Sequence, residues 1–144
     1  MAKKPGPACS CVIDTSGLHG IATASANLKG ALIARLNDGS IGVPSWAWQE
    51  LRETYPEDAA VLANHIVKRF QFNAKVYARA AQITEAAGLG LSLGAYDEHV
   101  ERYTAAAAYI HGGLTVLTSA DNLAMYSGLE CTVKDLVAWV EHQG

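Results

Sequence analysis

The sequence is short of charge. Its 144 residues carry 11 Lys and Arg against 14 Asp and Glu, a net charge of −3, and only 17 % of the chain is charged. Typical domains hold about 25 %. That shortage excludes a disordered chain or a long solvent-bathed helix. The lack of a basic excess excludes a generic nucleic-acid coat, but not an enzyme that handles nucleic acid briefly. Cysteine is scarce as well. Cys9, Cys11 and Cys131 are odd in number, and Cys-x-Cys is not the Cys-x-x-Cys of a zinc or redox motif. A disulfide framework is thereby excluded, and the expectation is a reducing, cytoplasmic setting. No stretch approaches the ~20 apolar residues of a membrane span. The apolar run after the basic Met1–Pro7 is only Cys11–Ile13, too short for a secretory leader. What remains is a half-hydrophobic chain of a size that buries one core without staples.

Residues 1–8 read as a flexible lead-in and residues 9–144 as one domain. Cys9–Asp14 is a short β-type run ending on an acid. Leu28, Leu32 and Leu36 recur every four residues and mark a helical face, stopped by Asn37-Asp38-Gly39. Ser40–Val43 reads as a buried strand, and Pro44-Ser45 opens a helix with Ser45 as N-cap. Pro56 breaks that helix, and the pattern predicts another from Glu57 to about Phe70. Ala74–Ala87 is a further helix, closed by Gly88, and Gly88–Gly94 is a glycine-spaced connector. Asp97–His111 is a long alanine-rich helix stopped by Gly112-Gly113. Leu114–Thr118 is apolar and β-branched, the clearest strand. A short helix after Asp121 and a weak strand at Leu129–Cys131 follow. Thr132 then caps a last helix whose buried stripe is Val133, Leu136, Val137 and Val140. Short, continuously apolar strands alternating with helices predict a three-layer α/β/α, Rossmann-like domain with a parallel sheet.

The acids recur at the predicted strand ends. Ligands of an open parallel sheet bind beyond the carboxyl ends of its strands. Asp14 ends the first strand and Asp121 lies just beyond Leu114–Thr118. Glu50 lies about two turns into the helix that follows the second strand. Asp97, Glu98 and Glu101 open the alanine-rich helix, Asp97 and Glu101 on one face. Carboxylates gathered in one pocket repel one another unless a cation neutralises them. Oxygen ligands without His or Cys suit Mg²⁺ or Mn²⁺ rather than zinc. Each acid taken alone also fits a helix cap or a favourable charge at a helix start.

At these positions the sequence resembles the PIN-domain ribonucleases. Cys11–Ser16 (CVIDTS) is similar to their opening strand, Val43–Leu51 (VPSWAWQEL) to their second motif, and Glu101–His111 followed by Gly113–Asp121 to their third and fourth. The order and spacing span nearly the whole chain, and the size is that of the toxin ribonucleases of VapBC-type toxin–antitoxin pairs. The resemblance implies an acidic quartet of Asp14, Glu50, Glu101 and Asp121, with Asp97 as rival for the third place. Ser16 and Asn122 would be polar helpers and Thr118 a positioning hydroxyl. Two features depart from the family pattern. Two residues rather than one separate Thr118 from Asp121, and the third acid is Glu rather than Asp. The implied activity is Mg²⁺- or Mn²⁺-dependent hydrolysis of RNA phosphodiester bonds. The implied partners are an RNA substrate, a small antitoxin and a second copy of the chain in a homodimer. A catalytically silent module that binds RNA or protein, and another Mg²⁺-dependent phosphohydrolase, stay open as alternatives.

Between Asp58 and Glu85 there is no acid, but Lys68, Arg69, Lys75 and Arg79 occur there, interleaved with Phe70, Phe72 and Tyr77. That composition suits an RNA- or partner-binding surface, and equally an ordinary solvated helix face. Other signatures are missing. Gly88-Leu-Gly90 with Gly94 follows a helix rather than a strand, so dinucleotide binding does not follow. Ser16 removes the second acid that an Asp-x-Asp phosphatase needs. The five histidines show no metal spacing.

Overall fold

A computed structural model describes residues 9–86 and 100–143. The strands are β1 (Cys11–Ile13), β2 (Ile41–Pro44), β3 (Lys68–Phe70), β4 (Thr115–Thr118) and β5 (Thr132–Asp135). They form one five-stranded sheet in the order β3-β2-β1-β4-β5. Every pairing is parallel, with Cys11 opposite Ile41 and Thr115, and Ile13 opposite Leu117. The helices are α1 (Thr15–Ala22), α2 (Ala26–Asn37), α3 (Ser45–Thr54), α4 (Pro56–Leu62), α5 (Ala74–Ala86), α6 (Val100–Ile110) and α7 (Leu136–Gln143).

Strand alternation sends side chains to two cores. Ile13 and Leu117 join Leu18, Leu36, Leu51 and Trp139 beneath α1, α2, α3 and α7. Val12 and Val116 join Val76, Ile83, Tyr103 and Ala106 beneath α5 and α6. The result is the expected three-layer α/β/α arrangement. Ala105 to Ala108 of α6 are all buried, because small side chains let that helix lie close to the sheet. Among the described residues no helix is long and apolar enough to cross a membrane, and Cys9, Cys11 and Cys131 are all free.

Several elements differ from the sequence expectation. The chain enters α1 directly after Asp14, where the sequence pattern marked no helix. Its two glycines lower helix propensity and hid it, but Asp14 caps it by accepting the Gly17 N–H. Gly17 is required there, since a Cβ would lie 2.6 Å from Ile13 and 2.9 Å from the Leu117 carbonyl. Ser45 is the first residue of α3 rather than its N-cap, a place taken by Pro44. The Ser45 hydroxyl instead accepts the Phe72 N–H at 3.3 Å. The helix expected from Glu57 to Phe70 stops at Leu62, passes through a 3₁₀ turn at Ala63–His65, and gives way to β3. A three-residue edge strand with Lys68 and Arg69 exposed carries no periodic signal. The last strand is Thr132–Asp135, not Leu129–Cys131, so Thr132 is no helix cap. Asp135 accepts the Ala138 N–H at the start of α7 instead. Val133 therefore belongs to the strand, and Val137 is exposed. The lead-in, the connector Gly88–Gly94 and Asp97 lie outside the described residues.

Candidate active site

Asp14 occupies the carboxyl end of the central strand, where β1 is flanked on both sides. It is 1 % exposed, yet both carboxylate oxygens are hydrogen bonded. Oδ1 accepts the Gly17 N–H at 2.7 Å. Oδ2 accepts the Thr118 hydroxyl at 2.7 Å, the Asn122 amide at 3.2 Å and the Tyr126 phenol at 2.5 Å. Burial pushes the Asp14 carboxyl above its ordinary range, while Tyr126, Gly17, Thr118 and Asn122 pull it down by bonding the charged form. Burial and the neighbouring Asp14 charge push the Tyr126 phenol well up, so it stays a donor.

Glu101, in the first turn of α6, meets Asp14 through Asn122. The Asn122 amide also lies 3.5 Å from Glu101 Oε1 and 3.1 Å from the Thr118 hydroxyl. Burial pushes the Glu101 carboxyl up, and the charges of Asp14 and Glu50 add to that. Glu50 reaches the same place from α3. Asp14, Glu50, Glu53 and Glu101 all line one cavity of about 430 Å³, and among the described residues no basic one is in its walls. Ser16 and Asn122 line it as well, and Ser16 exchanges a hydrogen bond with Ser119 across the β1–β4 seam.

Asp121 is exposed in the first turn of a 3₁₀ helix (Ala120–Tyr126) and is not among the cavity walls. The turn that presents it brings Asn122 inward instead. The two residues intervening after Thr118 set that phase. Among the described residues no three His, Cys, Asp or Glu side chains already form a cluster poised to hold a metal. The donor set nevertheless fits a hard divalent cation. It is all oxygen, burial raises the carboxyls of Asp14 and Glu101, and among the described residues no Lys or Arg lines the cavity to offset them. Oδ1 of Asp14 keeps a free lone pair for such an ion, whereas Oδ2 already takes three donors.

Glu53, Tyr55 and Tyr126 were not anticipated as site residues. Glu53 follows Glu50 by three residues on a helix, so spacing could have found it. Nothing local marks Tyr126, which lies 112 residues from the acid it contacts. Tyr55 lines the cavity and stacks on His19 at 4.0 Å, and His19 Nδ1 meets Asp58 Oδ2 at 2.5 Å.

The four candidate basic residues do not form one surface. Arg79 is ion-paired to Glu130 at 3.0 Å and lies 3.6 Å over the Tyr109 ring, beside the amino ends of β4 and β5. That is the sheet edge opposite the acids. Lys68 lies over the Phe70 ring at 5.4 Å and beside Cys9 and His111, again toward the amino ends. Lys75 is exposed at the start of α5. Arg69 alone is brought to a cleft on the carboxyl edge, where it joins Arg52.

No protein-family model matches the sequence, and neither does any curated protein. Solved structures do match in fold. FitAB bound to an IR36 DNA fragment aligns at TM-score 0.61 and 18 % identity, over 88 % of this chain and 95 % of that one. VapBC2 from Rickettsia felis, bound to a DNA fragment from its promoter, aligns at 0.61 and 15 % identity, over 87 % and 97 %. PAE2754 from Pyrobaculum aerophilum aligns at 0.59 and 11 % identity, over 93 % and 94 %. The chain thus has the fold of VapC-like PIN domains, with five parallel strands between two helical layers.

Proposed function

We propose that the chain is a Mg²⁺- or Mn²⁺-dependent endoribonuclease, the toxin of a type II toxin–antitoxin pair. The observation that carries this reading is the acid-walled cavity built around Asp14. Asp14, Glu50 and Glu101 are the residues that would hold the ion. A bound divalent cation polarises a phosphoryl oxygen, lowers the pKa of a coordinated water and stabilises the leaving oxygen. The chain's own part is positional. Thr118, Asn122 and Tyr126 hold Oδ2 of Asp14 and so fix the carboxylate at the cavity wall. Asn122 spaces Glu101 from Asp14. Glu50 and Glu53, side by side on α3, supply a carboxylate that can orient or deprotonate a water. Asp121, exposed in the turn beyond β4, and Asp97 are the remaining acids proposed for the site. The sequence motifs and the likeness to VapBC2 and FitAB support a small antitoxin as partner, an RNA substrate, a homodimer and a cytoplasmic setting.

The test is cleavage of single-stranded RNA with Mn²⁺ by wild type and by Asp14→Asn, each first checked by thermal melting. Cleavage by the wild type and its loss in the folded variant is the expected result, and equal cleavage by both overturns the assignment. Growth arrest on expression, relieved by a small neighbouring gene, is expected of a toxin. Two observations favour the silent-module alternative: Oδ2 of Asp14 already accepts three hydrogen bonds, and Asp121 is exposed. RNA binding with neither Mn²⁺ uptake nor cleavage would establish it.

A further inference from the structure

We infer that a single RNA strand is held along the carboxyl edge of the sheet, on a track running from two unpaired arginines, past exposed Phe72, to the acid cavity. This rests on the nuclease reading and adds the surface that holds its substrate.

Helix α3 divides the edge. On one flank Glu50 and Glu53 face the acid cavity. On the other, Trp48 and Arg52 are four residues apart and share a face. With Arg69 and Gln71 from the end of β3 they wall a cleft of about 300 Å³ that no acid among the described residues lines. Both guanidiniums are exposed, and among the described residues neither forms an ion pair. Elsewhere arginines here are paired: Arg35 with Asp38, and Arg79 with Glu130. Two uncommitted forks beside an indole suit the phosphates of a strand whose bases are unstacked.

The clefts adjoin. Ser45 and Gln49 line both the arginine cleft and a middle one of about 400 Å³. Glu50, Glu53 and Val100 line both the middle cleft and the acid cavity. The middle cleft is aromatic. Phe72, 42 % exposed, stands edge-on to Trp46 and Tyr103, at 6.0 and 5.0 Å. The chemistry along the edge is therefore cationic, then aromatic, then acidic. Phosphates would sit on the arginines, a splayed base on Phe72, and the next phosphate at the carboxylates. Base-paired RNA cannot use the aromatic part, because its bases stay stacked.

The experiment is fluorescence anisotropy of a labelled single-stranded RNA oligonucleotide with the full chain in EDTA, across a salt series, with cleavage in Mn²⁺ followed separately. Each lost phosphate contact should lower the slope of log affinity against log salt by about 0.7. Arg52→Gln and Arg69→Gln should each do so, while Arg52→Lys should keep most of the slope. Phe72→Ala should weaken single-strand binding about tenfold with the slope unchanged, and should not affect binding of a duplex of the same sequence. Unchanged slopes in both arginine variants, or a Phe72→Ala variant that binds as wild type, would overturn the track. Reduced slopes in a chain that cleaves nothing leave the track standing and remove the nuclease reading. Cleavage with unchanged slopes does the reverse.

Discussion

Tyr126 donates its phenolic proton to Oδ2 of Asp14 at 2.5 Å, joining the first strand to the turn before the last across 112 residues. Both groups are buried, so neither can exchange this bond for water. Tyr126→Phe keeps the ring and removes the donor. A buried hydrogen bond to a charged group contributes about 1.5–3 kcal/mol. The expected outcome is a loss of that order in urea unfolding without EDTA-sensitive change in fold, together with weaker Mn²⁺ binding by calorimetry, since Asp14 then loses one of the three donors that fix its carboxylate.

Asn122 separates two carboxylates, and replacing it with a third tests the cavity's appetite for cations. Asn122→Asp removes the amide that Asp14 and Glu101 share and adds a like charge beside both. In EDTA its melting temperature should fall below wild type. Mn²⁺ should restore more in the variant than in wild type, because a ligand that binds only the folded state stabilises it by mass action. A Mn²⁺ response equal to that of wild type would argue against ligation here.

The pH dependence follows from Glu101. Its carboxyl is raised in the folded chain, chiefly by burial. The folded state therefore binds more protons than the unfolded state between the ordinary carboxylate pKa and the raised value, and its stability falls as pH rises through that window. Glu101→Gln is always neutral and escapes this loss. In EDTA the variant should melt above wild type at about pH 7, with the difference shrinking as pH falls through the raised value towards the ordinary Glu pKa. A difference independent of pH would contradict the shift.

Gly17 tests the packing that brings α1 under the seam of β1 and β4. Alanine would gain about 1 kcal/mol of helix propensity. Its Cβ would meet the Leu117 carbonyl at 2.9 Å, a backbone atom that cannot swing aside. Overpacking of this kind costs about 1–3 kcal/mol, so Gly17→Ala should destabilise on balance. Because Asp14 caps the same helix, RNA cleavage should fall with it.

Arg79 is the control for the basic residues. Its ion pair with Glu130 and its contact with Tyr109 make it a structural tie at the amino edge. Arg79→Ala should cost about 1 kcal/mol of stability and leave RNA affinity and its salt slope as in wild type. A reduced slope would return Arg79 to the binding surface.

Much of the fold was legible in the sequence because its signals are local. The Leu28, Leu32, Leu36 spacing marked α2, and the apolar Leu114–Thr118 run marked β4. The elements that were missed carry weak local signals. Two glycines obscured α1, and β3 is short, polar and at an edge. The site was legible in part. Asp14 and Glu50 follow strands and Glu101 opens a helix, and the three meet in one cavity. Asp121 fits the same pattern but is exposed, because a turn of 3₁₀ helix sets its direction and strand-end position does not.

The sequence by itself determined the alternation of strand and helix, the parallel sheet and the edge on which the acids gather. Hydrophobic period and helix capping act over a few residues, so they can be read along the chain. Only the tertiary structure decided which groups meet. Thr118 and Tyr126 reach Asp14 over 104 and 112 residues, and the run of basic residues divides between two opposite edges. Those outcomes depend on crossover connections and on how each helix rotates against the sheet, which is set by packing between segments far apart in the chain. The charge that the sequence lacks in quantity is thereby arranged in space: carboxylates on one flank of α3, and Arg52 and Arg69 on the other.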